Sequence, residues 1–271
     1  MKYNANIDLP LMQRAISTEN LKERVNINHN YGTNNFDIWV DSLLDKIVYT
    51  SVLDICCGTG NQLLKYAKRN KTAHIIGVDI SNESLITADK RLQSIGASGY
   101  KLKSISMEKM FDDVDIKDSK FDLISCFYGL YYSQNATKIL EQIINHLSPN
   151  GTVLIVGPYG KNNANLFDLL QKHYTLPELV IRSSTTFMEQ EVFPILSEST
   201  KVSIETFVNP VRFPDVQSLI DYWCASTFYS SYHEKAVKRD IEEHFARHRY
   251  FIVEKHVMAY LARKLWIKNV S

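Results

Sequence analysis

Short apolar segments alternate with helical ones through the middle of the chain. Between residues 51 and 158, brief apolar runs are separated by stretches whose apolar residues recur with helical spacing. This alternation predicts parallel strands covered by helices on both faces. The predicted strands are residues 52–55, 73–80, 101–105, 121–127 and 152–157. The predicted helices lie near residues 62–68, 83–95 and 137–147, with Ser81 as N-cap of the second and the Pro and Gly of 148–151 ending the third.

The regions on either side of this core are predicted to be mainly helical. Residues 1–50 contain two predicted helical pieces, the second at 36–49 with its apolar residues on one stripe, and we expect them to form an N-terminal helical cap. Beyond residue 158 the pattern predicts helices at 164–173, 215–225 and 233–248, and strands at 202–208 and at the centre of 251–264. We therefore expect an α/β fold with a doubly wound, mostly parallel seven-stranded sheet at 51–271. Residues 209–250 are predicted to form a helical insertion between the last two strands.

The charge balance argues against a polyanionic partner. Thirty-one Lys and Arg oppose 30 Asp and Glu, a formal charge of +1, so no overall field draws the protein onto nucleic acid or an anionic membrane. The first twenty residues lack the apolar core of a signal peptide, and no run approaches the roughly 18–20 apolar residues that span a bilayer. We expect a cytoplasmic protein, and the sequence leaves its oligomeric state open.

The four cysteines predict neither a disulfide framework nor a metal site. Cys56, Cys57, Cys126 and Cys224 lack the paired spacing of zinc sites. Adjacent strand residues point to opposite faces, so Cys56 and Cys57 are poorly placed to bind one ion or each other. We expect reduced thiols that pack in the interior.

A glycine turn follows the first predicted strand. Asp54 ends that strand, and Gly58-Thr59-Gly60 leads into the next helix. Such a turn places bare backbone at the edge of the sheet where open α/β folds bind ligands. Asp79 ends the second predicted strand, where a carboxylate can accept both hydroxyls of a ribose. The pattern indicates a ligand that contains a nucleoside.

Two phosphate-binding motifs compete with this interpretation, and both fit poorly. The dinucleotide-binding turn G-x-G-x-x-G needs a third glycine, where this chain has Leu63. The phosphate loop G-x-x-x-x-G-K-[ST] does not occur. A ribose-containing ligand without a pyrophosphate is therefore favoured.

Together these residues resemble the class I S-adenosylmethionine-dependent methyltransferases that act on small molecules. The family turn D-x-G-x-G-x-G is similar to Asp54, Cys56, Gly58 and Gly60, and its acidic ribose residue corresponds to Asp79. The segments 121–133 and 147–158 resemble its fourth-strand and fifth-strand motifs. The resemblance implies a Rossmann-like methyltransferase fold, S-adenosyl-L-methionine as cofactor and a small-molecule methyl acceptor.

The resemblance also implies roles in cofactor binding. The turn at 56–60 would lie against the methionine part, Asp54 would hold its ammonium, Asp79 would bind the ribose and Ile80 would pack on the adenine. Ser106 stands where the family has an acidic residue for adenine, and Met107 is favoured over Glu108 as its neighbour. The full implied set is Tyr31, Asp54, Cys56, Gly58, Gly60, Asp79, Ile80, Met107, Glu108, Cys126 and Phe127. Within it, Cys126 and Phe127 would border the methionine part, and Tyr31 would close over the cofactor.

The acceptor pocket is expected in the aromatic segments outside the cofactor motifs. Tyr131, Tyr159 and His233 are the candidates for polar contact or proton removal, although half or more of the aromatic residues are expected to pack in the core. An acidic acceptor would need a cation such as Arg182 or Arg212. Because the cofactor's sulfonium is already activated, alignment and exclusion of water matter more than a base.

The predicted activity is methyl transfer to an oxygen or nitrogen atom of a small metabolite. A nucleic-acid or protein methyltransferase is the first alternative. The Pro-Pro motif of enzymes that methylate amino groups of bases is missing at residues 125–128. The second alternative is a catalytically silent protein that binds S-adenosylmethionine or S-adenosylhomocysteine.

Overall fold

The strands form one seven-stranded sheet. The structure is a computed structural model that describes residues 9–264. The strands are β1 (Ser51–Ile55), β2 (His74–Asp79), β3 (Tyr100–Ser104), β4 (Phe121–Phe127), β5 (Leu147–Pro158), β6 (Thr200–Phe213) and β7 (Phe251–Lys264). Their order is β3-β2-β1-β4-β5-β7-β6, and the first five pair in parallel. The doubly wound, mostly parallel sheet predicted from the sequence is confirmed.

This order places the start of the sheet at its centre. From β1 the chain winds outward to β2 and β3, then returns to the other side of β1 as β4. The reversal of direction occurs between β1 and β4, and ligands of open α/β sheets bind at the carboxyl ends of strands around such a point. Val52, Leu53 and Ile124 are fully buried here, as expected for strands covered on both faces.

The described residues also form α-helices. They are α1 (Leu9–Ile16), α2 (Thr18–Tyr31), α3 (Phe36–Leu44), α4 (Asn61–Arg69), α5 (Asn82–Ser94), α6 (Ala136–Asn145), α7 (Ala164–Leu170), α8 (Glu178–Thr185), α9 (Phe193–Ser199), α10 (Val216–Ala225) and α11 (Glu234–Phe245). Ser81 caps α5 as predicted, because its hydroxyl accepts a hydrogen bond from the Ser84 N–H. Among residues 9–264, no helix combines the length and the apolar character needed to cross a bilayer.

Several boundaries differ from the sequence prediction. The helix predicted to end at 148–151 already ends at Asn145, and Ser148–Gly151 lie in β5, where the pairing with β4 shifts register. Pro and Gly are tolerated at strand bulges as well as at helix ends, and here they lie at an irregularity of β5. Three described helices, not two, precede β1, and the pattern missed α8 and α9. β6 continues to Phe213, beyond residue 209 where the helical insertion was predicted to begin.

The described residues fall into two compact units. The first comprises the described residues up to Trp39 with Pro158–Thr186 and Thr206–Val257. The second comprises Val40–Gly157, Phe187–Glu205 and the described residues from Met258 onward. The boundaries cut across β6 and β7, so both long strands contribute to each unit. The division into a cap at 1–50 and a domain at 51–271 stays a prediction.

In the first unit, two arginines hold the end of α10. Arg14 Nε donates to the Ser226 carbonyl at 2.8 Å, and Arg24 Nη1 donates to the Ala225 carbonyl at 2.7 Å. Helix ends leave carbonyls without partners inside the helix and carry partial negative charge. The guanidinium groups of α1 and α2 therefore satisfy and stabilise the carboxyl end of α10.

In the second unit, close packing of α4 on the sheet depends on a glycine of β2. The dinucleotide-binding motif would instead have a glycine on the helix, where this chain has Leu63. Leu63 of α4 is fully buried, and its Cδ1 lies 2.9 Å from where a Cβ on Gly77 would stand. Because Gly77 of β2 has no side chain, α4 can pack closely on the sheet although Leu63 is large. Close helix–strand packing is thus retained with the glycine on the opposite partner.

Candidate active site

Three strands bring the predicted cofactor residues to one edge of the sheet in the second unit. The register pairs Ile55 with both Val78 and Cys126, so β1, β2 and β4 end side by side. The Gly58 N–H donates a 2.8 Å hydrogen bond to Asp79 Oδ2, which joins the turn after β1 to the end of β2. The Ile105 N–H donates to the Asp79 carbonyl at 3.1 Å and places the segment after β3 beside them.

The turn after β1 contains three left-handed residues in five positions. Cys56, Gly58 and Gly60 have φ of 56°, 53° and 81°. A Cβ on Gly60 would lie 2.9 Å from the Ala88 Cβ, so packing and φ both require glycine there. Arg91 of α5 holds the turn by donating from Nη1 to the Thr59 carbonyl at 2.7 Å. Arg91 could not be predicted from the sequence, because a charged residue on a partly buried helix such as α5 carries no local signal of this contact.

Cys56 fits at its unusual position because a glycine faces it. It stands where the family usually has glycine, and its left-handed φ costs strain in a residue with a Cβ. A Cβ on Gly129 would lie only 2.5 Å from the Cys56 Cβ and 2.7 Å from its Sγ. The thiol also hydrogen bonds to Cys126, and this bond together with burial raises the pKa of the Cys56 thiol well above its usual value. The half-buried Cys56 thiol is therefore protonated and packs against Gly129.

Asp54 is a buried carboxylate with one oxygen unsatisfied. Its side chain is 1% exposed, and Oδ1 accepts a 2.6 Å hydrogen bond from the Ser125 hydroxyl, which itself accepts from the Tyr66 hydroxyl at 2.9 Å. Oδ2 is buried and has no hydrogen-bond partner among the described residues. Burial raises the pKa of the Asp54 carboxyl to about 7, against the lowering effect of Ser125. A cationic donor at Oδ2 would relieve both the unpaired oxygen and the cost of ionisation.

Ser125 and Tyr66 complete the hydrogen-bond chain to Asp54, and neither was predicted from the sequence. Ser125 is fully buried in β4 between the apolar Ile124 and Cys126, and Tyr66 is fully buried on α4. A lone hydroxyl inside an apolar strand was the available signal for Ser125. Tyr66 had none, because an aromatic residue on the inner face of a helix usually packs in the core.

Asp79 accepts backbone hydrogen bonds on both carboxylate oxygens. Oδ2 receives the Gly58 N–H, and Oδ1 receives the Ser81 N–H at 2.8 Å. Burial raises the pKa of the Asp79 carboxyl, and the backbone bonds oppose that rise. A carboxylate offers about four acceptor sites, so both oxygens keep capacity for two further hydroxyl donors. Ile80 follows directly and is 57% exposed, an apolar surface beside the carboxylate.

The other predicted residues of the second unit occupy the ends of β3 and β4. Met107 is half-buried, whereas Glu108 is exposed and accepts a 3.3 Å hydrogen bond from the Gln134 N–H. Cys126 and Phe127 are buried at the end of β4. Tyr131 is half-buried, with its ring 5.9 Å from Phe187 in an edge-on contact. Tyr128, between these residues, is left-handed with φ of 54°, a strained conformation of a kind that often occurs at functional sites.

The remaining predicted residues, Tyr31, Tyr159 and His233, lie in the first unit and contact different aromatic or histidine rings. The Tyr31 ring is 5.8 Å from Phe213, and the Tyr159 ring is 5.8 Å from His256. His233 stacks on Tyr174 at 4.9 Å, and its Nδ1 is 2.9 Å from the Ser230 hydroxyl. Tyr159 and His233, with Tyr131, were predicted for the acceptor pocket and Tyr31 for the cofactor, and both assignments stay predictions.

We expect the packing of Cys56 against Gly129 to appear as a coupling between two substitutions. Gly129→Ala alone should lower the free energy of unfolding by about 1–3 kcal/mol, because the added methyl has no room. In a Cys56→Gly background the cost should fall by about 1 kcal/mol or more, since the facing side chain is gone. Urea unfolding of the four proteins measures the coupling.

Gly151→Ala is the matched control for this cycle. A Cβ there would lie 2.7 Å from the Phe121 carbonyl oxygen, a contact that Cys56 does not share. Its cost should be the same in both backgrounds. Equal costs for Gly129→Ala with and without Cys56 would contradict the packing described.

Comparisons with known proteins agree with this geometry. A family model described as a methyltransferase domain matches residues 48–201, more than half of the chain. An uncharacterized protein from Haemophilus influenzae is 34% identical over 115 residues, which are 42% of this chain and 44% of that protein. A 2-phytyl-1,4-naphtoquinone methyltransferase from Nostoc sp. is 29% identical over 174 residues, which are 60% of this chain and 74% of the relative.

The solved structures show the same fold. The structure of the YcgJ protein from Bacillus subtilis matches with a TM-score of 0.59 at 15% identity, over 84% of this chain and 98% of that one. The family match at residues 48–201 includes the glycine turn, Asp79 and β4, the segments that form the edge described above. The chain belongs to the methyltransferase domain family and is a class I S-adenosylmethionine-dependent methyltransferase.

Proposed function

We propose that the protein transfers a methyl group from S-adenosylmethionine to an oxygen or nitrogen atom of a small-molecule metabolite. The observation that carries this proposal is the buried Asp54 carboxylate, whose Oδ2 lacks a partner among the described residues beside a bare glycine turn. The near-neutral charge, +1 over the whole chain, favours a small acceptor over nucleic acid. The name of the Nostoc relative, a 2-phytyl-1,4-naphtoquinone methyltransferase, supports the same class of acceptor.

The residues at the sheet edge fit the parts of S-adenosylmethionine. Asp54 Oδ2 would accept from the ammonium, and the backbone of the turn at Gly58 and Gly60 would lie against the methionine part. Asp79 would accept the ribose hydroxyls, and the exposed Ile80 would cover one face of the adenine. Met107 would also contact the adenine. The hydrogen bond from the Ile105 N–H to the Asp79 carbonyl holds the residues after β3, including Met107, next to β2. Cys126 and Phe127 would border the methionine part, and Tyr31 remains the proposed closing residue.

The protein's own contribution to the reaction is mainly alignment. The cofactor, when bound, supplies a methyl group on a positively charged sulfur that is already reactive toward a nucleophile. The chain must then orient the acceptor in line with that methyl and keep water away. Tyr131 contributes a hydroxyl on a ring that Phe187 packs edge-on, and Tyr159 and His233 are the other proposed polar contacts. A proton acceptor is required only if the acceptor atom carries a proton that must leave.

Methyl transfer from radiolabelled cofactor to separate pools tests the proposed function. We expect label in a metabolite extract and none above background in transfer RNA or protein. Label in transfer RNA or protein would favour the first alternative. Cofactor binding by calorimetry, combined with no transfer to any pool, would indicate a silent binding protein.

We expect Asp79→Ala to weaken S-adenosylmethionine binding by about 1–3 kcal/mol, the scale of lost charge-assisted hydrogen bonds. Calorimetry measures the affinity, and circular dichroism shows whether the variant is folded. Asp89→Ala is the matched control. Asp89 lies on α5, where it accepts a hydrogen bond from the Tyr100 hydroxyl, and it has no hydrogen bond to the proposed cofactor residues. Unchanged affinity in folded Asp79→Ala would remove Asp79 from the site.

The raised pKa of Asp54 predicts a pH dependence of cofactor binding. Below its pKa of about 7 the carboxyl is mostly protonated and cannot act as an anionic partner of an ammonium. Binding must then release the proton, so affinity should rise from pH 5 to pH 7, by up to about tenfold per pH unit, and level off above. Asp54→Asn should bind more weakly at pH 8 and show a flatter profile. Parallel profiles for the two proteins, measured by calorimetry, would exclude Asp54 as the titrating group.

A further inference from the structure

Asp54 and Ser125 face each other across two neighbouring strands of the second unit. The parallel register pairs Asp54 of β1 directly with Ser125 of β4, so their side chains lie on the same face of the sheet. The Ser125 hydroxyl lies 2.6 Å from Asp54 Oδ1, and both residues are 1% exposed or less. The pairing of β1 with β4 therefore fixes which oxygen of Asp54 meets this hydroxyl.

Tyr66 extends this contact into a chain of hydroxyl groups. It lies on the buried face of α4, together with Leu63 and Ala67. Its hydroxyl is 2.9 Å from Ser125 Oγ, and Ser125 is the only hydrogen-bond partner of that hydroxyl among residues 9–264. Side chains from α4, β4 and β1 thus form one line, Tyr66–Ser125–Asp54, which we call the hydroxyl chain.

The number of protons sets the direction of the hydroxyl chain. Each hydroxyl has one proton to donate. If Ser125 donated to Tyr66, the Tyr66 proton would have no acceptor in a fully buried position, which is costly. Tyr66 therefore donates to Ser125, and Ser125 donates to Asp54 Oδ1. Because Oδ1 is held as an acceptor, a proton on this carboxyl must be on Oδ2.

The second oxygen of Asp54 has no such donor. Oδ2 is buried and accepts no hydrogen bond within the described part of the chain. A proton on Oδ2 would point at any N–H⁺ group that approached the same oxygen, so the two cannot be bound together. The hydroxyl chain thus leaves a single oxygen for both the proton and a cationic donor.

Other ionisable groups face Asp54 from the neighbouring segments. Asp79 of β2, Cys57 of the turn and Tyr66 of α4 interact with it electrostatically. Burial raises the pKa of the Cys57 thiol and of the Tyr66 hydroxyl, so both stay neutral between about pH 5 and pH 8. Burial raises the pKa of the Asp54 carboxyl to about 7, the bond from Ser125 lowers it, and the charge of Asp79 raises it. Within the hydroxyl chain, Asp54 is therefore the group that changes charge in this range.

We propose that Tyr66 and Ser125 are positioning residues, which hold Asp54 Oδ1 as an acceptor so that Oδ2 alone takes either a proton or the cationic group of a ligand. Resting on the proposed function, that group is the ammonium of S-adenosylmethionine, and its binding releases the Oδ2 proton to water. Tyr66 acts through Ser125, because its hydroxyl bonds to Ser125 and not to Asp54 itself.

NMR of the ligand-free protein, labelled with ¹³C at the aspartate carboxyls, measures the pKa of Asp54, whose signal is assigned by its loss in Asp54→Asn. We expect Ser125→Ala to raise this pKa by about one pH unit or more, since the ionised carboxyl loses a charge-assisted donor. Tyr66→Phe should raise it by about half a unit, because Ser125 then donates less strongly and can accept a proton from the neutral carboxyl. In a Ser125→Ala background, Tyr66→Phe should add no shift.

Tyr49→Phe is the matched control. The Tyr49 hydroxyl donates to the backbone carbonyl of Tyr66 at 3.2 Å, and the two rings lie 5.8 Å apart. This variant removes a hydroxyl from the same aromatic pair but leaves the hydroxyl chain complete, so the pKa of Asp54 should not change. Circular dichroism shows that each variant is folded. The proposal is overturned by an equal shift in Tyr49→Phe, by no shift in folded Tyr66→Phe, or by a Tyr66→Phe shift that is the same without Ser125.

S-adenosylhomocysteine, which carries the same ammonium as the cofactor, separates this inference from the proposed function. Added to the wild type at pH 6, it should move the Asp54 signal to its carboxylate position, and it should bind Ser125→Ala about tenfold more weakly because fewer molecules are ionised. No binding to the wild type, with the expected pKa shifts in the variants, would count against the proposed function alone. Binding that leaves Asp54 protonated would overturn the exchange at Oδ2.

Discussion

The hydrogen bond from the Gly58 N–H to Asp79 Oδ2 is the contact on which the sheet edge at the ends of β1, β2 and β4 depends. It can form only because the chain after β1 turns through left-handed residues at Cys56, Gly58 and Gly60, which point the backbone N–H toward β2. The parallel register then adds the ends of β3 and β4 to the same edge. A charge-assisted bond to a carboxylate is among the stronger hydrogen bonds in proteins, so one interaction fixes both the turn and the proposed ribose partner.

Departures from common motifs in this chain are balanced by glycines elsewhere. Leu63, where a dinucleotide-binding turn has glycine, packs over Gly77 of the neighbouring strand. Cys56, where the family usually has glycine, faces Gly129 after β4. In both cases a glycine still provides the space needed for close packing, but it stands on the facing segment and not in the turn or helix of the motif. Tightly packed interiors require this, because two side chains cannot occupy the same volume.

Two buried ionisable groups remain costly in the protein by itself. Asp54 has a carboxyl pKa raised to about 7, and Lys255 has an amine pKa lowered to about 7, both chiefly because burial disfavours their charged forms. Between about pH 4 and pH 7 the folded protein keeps a proton on Asp54 that the unfolded chain has released. The free energy of unfolding therefore falls as the pH rises through this range. Each group stands in a separate unit, and for Asp54 a ligand of opposite charge would offset the cost.

The sequence alone determined the parallel core and most of its helices, and it placed Asp54, the glycine turn and Asp79 at one edge of the sheet. These follow from local features: apolar periodicity, glycines in a turn and carboxylates at strand ends. The same local reasoning failed at Ser148–Gly151, where Pro and Gly belong to a strand irregularity. Only the tertiary structure decided that Ser125 and Tyr66 support Asp54, that Gly129 faces Cys56 and that Lys255 is buried beside Asn163 and Tyr222. The members of each group are far apart in sequence, and whether a hydroxyl, a glycine or a lysine has a role there depends on burial and contact, which spacing along the chain does not carry.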